Sequence, residues 1–135
     1  MPRRRDNTGL VPNEVRILEL LVRLAREESP SDLTKADVYG YSVSLALDEQ
    51  ASALGERPIS NATVYRCLRR LEDFGALTSE WESDEAALAD RREGRKRRYY
   101  RVTPLALPRL EEEWRMLEQR DLRPAWFRLT PPLAG

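Results

Sequence analysis

The side chains best suited to reading another molecule lie on one short segment, residues 60 to 70. Asn61, Thr63, Tyr65 and Arg66 offer amide, hydroxyl, phenol and guanidinium groups within six positions. On a helix of 3.6 residues per turn they lie opposite the apolar side chains of the predicted helix that ends at Gly75, which are Val64, Cys67, Leu68, Leu71 and Phe74. Amide and guanidinium groups are those that hydrogen-bond to base edges in the major groove of DNA. The pattern favours nucleic-acid recognition, and a merely solvated polar face is the alternative.

A second concentration of charge follows this segment. Residues 91 to 101 carry seven basic side chains and one acidic side chain, Glu93, for a local sum of +6. Alternating patterns on either side predict two strands, Leu77 to Glu82 and Arg98 to Thr103, joined as a hairpin by a long polar connection. Arginine and lysine on such a loop release counterions when they bind a phosphate backbone. A solvated loop is the alternative interpretation of the same charges.

Composition excludes several kinds of site. The chain of 135 residues contains 23 basic and 23 acidic residues, one cysteine and no histidine. These counts remove intramolecular disulfides, thiol–imidazole catalysis and the usual zinc ligand sets. The sequence also lacks a glycine-rich phosphate loop and a convincing pair of carboxylates, so we expect no enzyme activity, no metal and no cofactor. With no membrane-spanning apolar run and no secretory signal, we expect a protein of the cytoplasm that has no membrane partner.

Periodicity predicts a mainly α chain with one small β-hairpin, arranged as a winged helix-turn-helix plus a C-terminal dimerisation helix. We expect a flexible basic arm over residues 1–12, the winged helix-turn-helix over 13–103, the dimerisation helix over 104–122 and a proline-containing tail over 123–135. The first predicted helix runs from an Asn13 cap to Glu28. The second begins either at a capping box over Thr34 to Asp37 or near Tyr39, and it ends at Leu54. The third runs from a Ser60 cap to Gly75, and the fourth runs from Thr103-Pro104 to Asp121.

Two apolar surfaces predict contact with a second subunit. The apolar residues of the first helix cover more than half of its circumference, which one neighbour does not require. The last helix carries a stripe of apolar residues with spacings of three and four, and such a stripe usually packs against a partner helix. The residues expected at this interface are Ile17, Leu21, Leu24, Leu107, Leu110, Trp114 and Leu117. Complete burial within one subunit is the alternative for the first helix, and plain core packing is the alternative to a ligand-binding role for Trp114.

Three segments resemble the PadR family of bacterial winged helix-turn-helix repressors. Tyr39-Gly40-Tyr41 resembles the opening of the family's second helix, and the run from Ala62 to Leu77 resembles its recognition helix and first wing strand. The run from Gly94 to Pro104 resembles its second wing strand and the start of its C-terminal helix. The resemblance covers roughly residues 13 to 119, and a single C-terminal helix ahead of the prolines suggests the short branch of the family.

The resemblance implies a homodimeric repressor that places paired recognition helices on a partly palindromic DNA operator. Together with the residue chemistry above, it predicts DNA contacts from Ser60, Asn61, Thr63, Tyr65, Arg66, Arg69, Arg95, Lys96, Arg97 and Arg98. In the family's arrangement Tyr65 would contact phosphate, and Asn61, Thr63 and Arg66 would lie near base edges. Family habit also suggests a small aromatic effector beside Trp114. A winged helix used only for protein–protein contact, without sequence-specific DNA binding, is the alternative function.

Overall fold

The computed structural model describes residues 9–83, 85 and 97–119. Over these residues the chain forms four helices and three strands, and the predicted mainly helical fold with a small hairpin is confirmed. In chain order they are α1 (Pro12–Glu28), a 3-10 turn (Leu33–Lys35), β1 (Val38–Tyr39), α2 (Gly40–Leu54), α3 (Asn61–Asp73), β2 (Leu77–Trp81), β3 (Arg98–Val102) and α4 (Ala106–Gln119).

The strands form one antiparallel sheet with β3 in the middle, in the order β1-β3-β2. The predicted hairpin pairs Leu77 with Val102 and Trp81 with Arg98. On the other edge of β3, Val38 pairs with Tyr100 and Tyr39 with Tyr99. Strand β1 is absent from the sequence-based prediction because two residues show too short an alternation to be recognised.

The predicted capping box at Thr34 is wrong, and the alternative start of α2 near Tyr39 is confirmed. Asp32 caps only the short 3-10 turn, with its Oδ1 accepting the Thr34 N–H at 3.0 Å. The backbone is then extended at Ala36, with φ −86° and ψ 131°, so the chain enters β1 instead of a helix. Helix α2 begins at Gly40 and ends at Leu54, and the next residue, Gly55, has a φ of 68°, the left-handed conformation typical of the residue after a helix.

Two other helix starts differ by two residues from their predicted positions. Helix α1 begins at Pro12 instead of after Asn13, because the Glu14 carboxylate accepts the Val11 N–H at 3.0 Å and closes the first turn. Helix α4 begins at Ala106 instead of Pro104. Thr103 prepares this start, since its Oγ1 accepts the Leu105 N–H at 3.2 Å and donates to the Gly75 carbonyl at 2.6 Å. That last bond ties the start of α4 to the end of α3.

Helix α1 forms the centre of the hydrophobic core, with 10 of its 17 residues buried. It packs against α2, α3, α4 and the sheet. Ile17, Leu18 and Leu21 are fully buried, and Leu110 of α4 is fully buried against the same core. The wide apolar face of α1 is therefore largely satisfied within a single chain, which was the alternative to subunit contact. None of the described helices is long and apolar enough to cross a membrane.

Buried carboxylates fix the position of α3 and of the segment before α1. Glu14, which is almost fully buried, lies 2.7 Å from the Arg70 Nε of α3. Glu113 of α4 is also buried, and it accepts the Leu10 N–H at 3.3 Å. A buried carboxylate is costly unless it is paired or hydrogen-bonded, so both contacts favour this one arrangement of the helices.

Candidate nucleic-acid interface

Helix α3 presents one polar face to solvent because its other face is committed to the core. Val64, Leu68 and Leu71 are fully buried, with spacings of three and four residues that define the inner face. At its start the Ser60 Oγ accepts the Thr63 N–H at 3.2 Å, so the predicted cap is confirmed. Six outer residues are exposed, namely Asn61, Ala62, Tyr65, Arg66, Arg69 and Arg70, and Thr63 is half-buried beside the Ser60 hydroxyl. The polar side of this helix thus lies open to solvent.

The three arginines of this helix have different environments. Arg70 forms the ion pair with Glu14 and lies 5.4 Å from the centre of the Phe74 ring. Arg66 and Arg69 are exposed, and neither forms an ion pair within the part of the chain that the structure describes. An exposed guanidinium without an internal carboxylate is free to make the bidentate hydrogen bonds that guanine edges and phosphates accept.

The wing is the hairpin of β2 and β3 with its connecting loop, and its described arginines contact other residues of the protein more than the sequence suggests. The Arg98 Nη2 and Nε donate to the Ser79 Oγ at 2.8 Å and 3.1 Å, and the Nη2 lies 3.8 Å from Glu72. The Arg98 guanidinium also lies 5.3 Å from the centre of the Trp81 ring. Arg98 therefore ties β3 to β2 and α3. Arg97 lies over the Tyr39 ring at 5.4 Å, whereas Arg95 and Lys96 fall outside the described residues.

Helix α3, the sheet and the start of α2 enclose a cleft of about 440 Å³. Its walls are mostly aromatic and basic, and they consist of Tyr39, Tyr41, Tyr65, Arg69, Glu72, Trp81, Arg97, Arg98 and Tyr100. Burial raises the pKa of the Tyr100 phenol, so this hydroxyl stays protonated to a higher pH than an exposed phenol does. Exposed arginines beside aromatic rings are typical of surfaces that hold phosphates and bases. Four predicted DNA-binding residues, Tyr65, Arg69, Arg97 and Arg98, meet at this cleft.

Comparison with known proteins identifies the family. The model of the transcriptional regulator PadR-like family matches residues 31–112, which is more than half of the chain. The chain belongs to the PadR-like family of transcriptional regulators. Proteins of this family bind DNA and are not enzymes.

Two solved structures resemble the chain over most of its length. A PadR family transcriptional regulator from Eggerthella lenta DSM 2243 is 28% identical, with 82% of this chain and 84% of that chain covered and a TM-score of 0.50. A transcriptional regulator from Clostridium thermocellum is 23% identical over 80% of this chain and 84% of that chain, with a TM-score of 0.57. The second likeness shows the winged-helix fold alone. None of the curated proteins compared with the chain matches it significantly.

Sequence reasoning missed part of the surface of this PadR-like protein. Tyr39, Tyr41 and Trp81 line the cleft but were not predicted to take part in binding. Tyr41 is 60% exposed and Trp81 is 58% exposed, which is unusual for such large rings. The signal for Tyr41 was its place in the family-like Tyr39-Gly40-Tyr41 run. Tyr39 could not be placed without β1, which brings it beside β3.

The residues expected at a subunit interface divide into two groups in the single chain. Ile17, Leu21 and Leu110 have no exposed surface, and Trp114 is only 6% exposed. Because these side chains are buried in their own subunit, they cannot present a surface to a partner in this conformation. Leu24, Leu107 and Leu117 are half-buried at the edge of the same core and retain accessible surface. The dimerisation and ligand-binding roles remain predictions.

The remaining reactive groups are structural. Cys67 lies on the inner face of α3, and burial, followed by the nearby Glu14 charge, raises the pKa of its thiol. A raised pKa keeps the thiol protonated and unreactive at neutral pH. No group of three or more metal-binding side chains comes together among the residues that the structure describes.

Proposed function

We propose that this PadR-like protein is a homodimeric, sequence-specific repressor that inserts α3 into the major groove of its operator. The observation that carries the proposal is the exposed face of α3, on which Arg66 and Arg69 lack an internal acidic partner among the described residues. On a helix face that served only solubility, we would expect arginines to pair with some of the many acidic residues of the same chain. Such an arrangement suits binding to a polyanion.

The contacts divide between base edges and phosphates. Asn61, Thr63 and Arg66 lie in the first two turns of α3, the part of a recognition helix that reaches deepest into the groove. We assign base contacts to these residues, which set specificity. Tyr65 and Arg69 line the cleft beside Arg97, and we assign backbone contacts to these three, which set affinity. Arg98 then acts mainly inside the protein, because its guanidinium already contacts Ser79 and Trp81.

The dimer places two copies of α3 on one face of the duplex. Two recognition helices must then be about one helical turn of DNA apart, roughly 34 Å, so the operator is expected to be partly palindromic. The half-buried residues Leu24, Leu107 and Leu117 supply the apolar contacts between subunits. The wider proposal includes release by a small aromatic effector beside Trp114. The Trp114 ring is only 6% exposed, so binding beside it requires the packing around this ring to open.

The experiment that tests the function is fluorescence anisotropy with labelled DNA from upstream of the gene that encodes the protein. A scrambled duplex of the same length is the control, and both are titrated across a range of salt concentrations. We expect tighter binding to the upstream DNA at every salt concentration and a steep loss of affinity on both duplexes as salt rises. Reporter transcription in the presence of the protein then distinguishes repression from activation.

Equal, weak binding to both duplexes at all salt concentrations would overturn sequence-specific regulation by this site. The exposed aromatic and arginine side chains would then fit a protein partner better, because a packed protein interface responds less to salt than a phosphate backbone does. Trp114→Phe tests the effector in the same assay. If effector-induced DNA release is unchanged in this variant, the effector does not bind beside Trp114.

A further inference from the structure

The phenol ring of Tyr65 lies directly on Gly40, the first residue of α2. A Cβ atom added at Gly40 would lie 2.9 Å from the Tyr65 Cε1 and 3.1 Å from its hydroxyl oxygen. Carbon atoms that are not bonded pack at about 3.5–4.0 Å, so any side chain at position 40 would occupy the space that the ring now fills. A side chain at position 40 would therefore displace the end of the Tyr65 ring, so the present contact between this ring and the start of α2 depends on the glycine.

Backbone conformation does not explain this glycine. Gly55 and Gly75 are the two glycines with positive φ among the described residues, and each ends a helix. Gly40 begins a helix with ordinary backbone angles, a position that alanine occupies readily. The close approach of Tyr65 is the feature of the described residues that favours glycine at position 40.

The contact places Tyr65 in the cleft. Tyr65 is 43% exposed, and it forms the cleft wall together with Arg69, one helical turn further along α3, and Tyr41, which follows Gly40 in α2. An exposed tyrosine on a helix normally samples several side-chain rotamers, and binding must then restrict it to one. The flat surface of Gly40 supports the ring on one side and favours the rotamer in which the ring lines the cleft that Arg69 and Arg97 also line.

We propose that Gly40 is a positioning residue for DNA binding, which holds Tyr65 ready to contact a backbone phosphate in the cleft between α2, α3 and the wing. This inference rests on the proposed function, because it deepens the account of the same surface. The phosphate would meet the Tyr65 hydroxyl together with the Arg69 and Arg97 guanidinium groups. Gly40 does not touch the DNA, and it acts only through Tyr65.

The test is a double-mutant cycle of Gly40→Ala and Tyr65→Ala, with DNA affinity and thermal unfolding measured for all four proteins. Alanine at position 40 displaces the exposed end of the Tyr65 ring, so it should lower DNA affinity roughly tenfold, the value of one hydrogen bond to a charged group. In the Tyr65→Ala background the same substitution should have no effect on affinity. The melting temperature should remain the same or rise in both backgrounds, since alanine favours helix over glycine.

The control variant is Ser42→Ala, which changes an exposed residue in the same turn of α2 outside the cleft lining and should leave affinity unchanged. Unchanged affinity of Gly40→Ala on the background of the native Tyr65 would overturn the proposal, as would an equal loss in both backgrounds. If Gly40→Ala fails to fold but the double variant folds, the Tyr65 contact is confirmed as the cause, and Gly40 then acts on stability instead of binding. Failure of the proposed function itself is distinguishable, because the native protein would then show no salt-sensitive DNA binding.

Discussion

Arginines only a few residues apart perform different tasks in this protein. Arg70 joins α3 to α1 through Glu14, and Arg98 joins β3 to Ser79 and Glu72, so both support the fold. Arg66 and Arg69 make no ion pair within the described residues and are available to a ligand. Amino-acid type alone does not distinguish these roles. The distinction comes from the position of each carboxylate in space.

The buried residue Glu113 should make the stability of the protein depend on pH. Its carboxyl group is buried among Arg109, Glu112 and Glu14, and burial raises its pKa above the ordinary value of 4.5. Between the ordinary and the raised pKa the folded state binds more protons than the unfolded state, so stability falls as pH rises through this window. Glutamine keeps a group that can accept the Leu10 N–H but does not ionise. We therefore expect Glu113→Gln to remove this part of the pH dependence.

The measurement is urea denaturation of the native protein and of Glu113→Gln at a series of pH values from 4 upward. As pH rises through the window, the free energy of unfolding should fall for the native protein relative to that of Glu113→Gln. Glu112→Gln is the matched control, because Glu112 is exposed and its substitution should change the profile little. Parallel profiles for the native protein and Glu113→Gln would show that Glu113 does not have the raised pKa.

The fate of individual residues shows how much was predictable from sequence. The outer face of α3 was predicted correctly, since helical periodicity is a local property and Ser60 and Gly75 mark the two ends. The Glu14–Arg70 pair was not, because the two residues are far apart in the chain and nothing local indicates that they meet. The contact between Gly40 and Tyr65 was missed for the same reason. Local patterns predict which side chains are available, whereas tertiary packing decides which of them remain free.

The start of α2 shows how strand pairing can override a helix-capping pattern in the local sequence. Residues 34 to 37 carry a capping-box pattern, yet β1 forms immediately after them because the centre strand β3 has a free edge that pairs with Val38 and Tyr39. This strand brings Tyr39 against Arg97 and completes one wall of the cleft. Helix α3, the hairpin of β2 and β3, and the start of α2 thus line one common cleft.

Arg69 of α3 and Arg97 of the wing should contribute to DNA affinity but not to sequence specificity. Removing one arginine–phosphate interaction lowers the dependence of log affinity on log salt by about 0.9. Substitution of both arginines, Arg69→Gln and Arg97→Gln, should therefore lower the slope by about 2 and weaken binding to specific and scrambled DNA alike. The measurement is the anisotropy titration repeated at several salt concentrations.

Arg101→Gln is the matched control for this pair. Arg101 lies on β3, the strand that begins directly after Arg97, but it is not part of the cleft lining and forms an ion pair with Asp37. Its substitution should leave the salt slope nearly unchanged. A slope that falls as much for Arg101→Gln as for the double variant would mean that the cleft is not the phosphate-binding surface.

Burial within one chain limits which residues of the whole molecule can contact a second subunit in the proposed dimer. The apolar stripe of α4 uses Leu110 and Trp114 for its own core, which leaves Leu107 and Leu117 with accessible surface. An aspartate in place of either leucine would place a charge in an apolar interface without a partner, at a cost of several kcal/mol. We expect Leu107→Asp combined with Leu117→Asp to convert the proposed dimer to a monomer and to weaken binding to the proposed palindromic operator.

Sedimentation equilibrium of the double variant measures this directly, with circular dichroism to confirm that each chain is folded. Leu105→Asp is the control, because Leu105 is 62% exposed and lies outside the apolar stripe, in a hollow beside Phe74 and Pro108. That variant should remain a dimer. A folded double variant with the native molecular mass would place the subunit contact elsewhere on the protein.

We expect α3 to read base sequence through Arg66, and the DNA affinities of a single variant test this expectation. The affinities of the native protein and of Arg66→Ala are compared on the operator and on scrambled DNA at one fixed salt concentration. A bidentate contact to a base discriminates by about 1–3 kcal/mol, so the ratio of the two affinities should fall by about 5-fold to 150-fold in the variant. Binding to scrambled DNA should change only slightly. An equal loss on both duplexes would contradict the account, because Arg66 would then contact only the backbone.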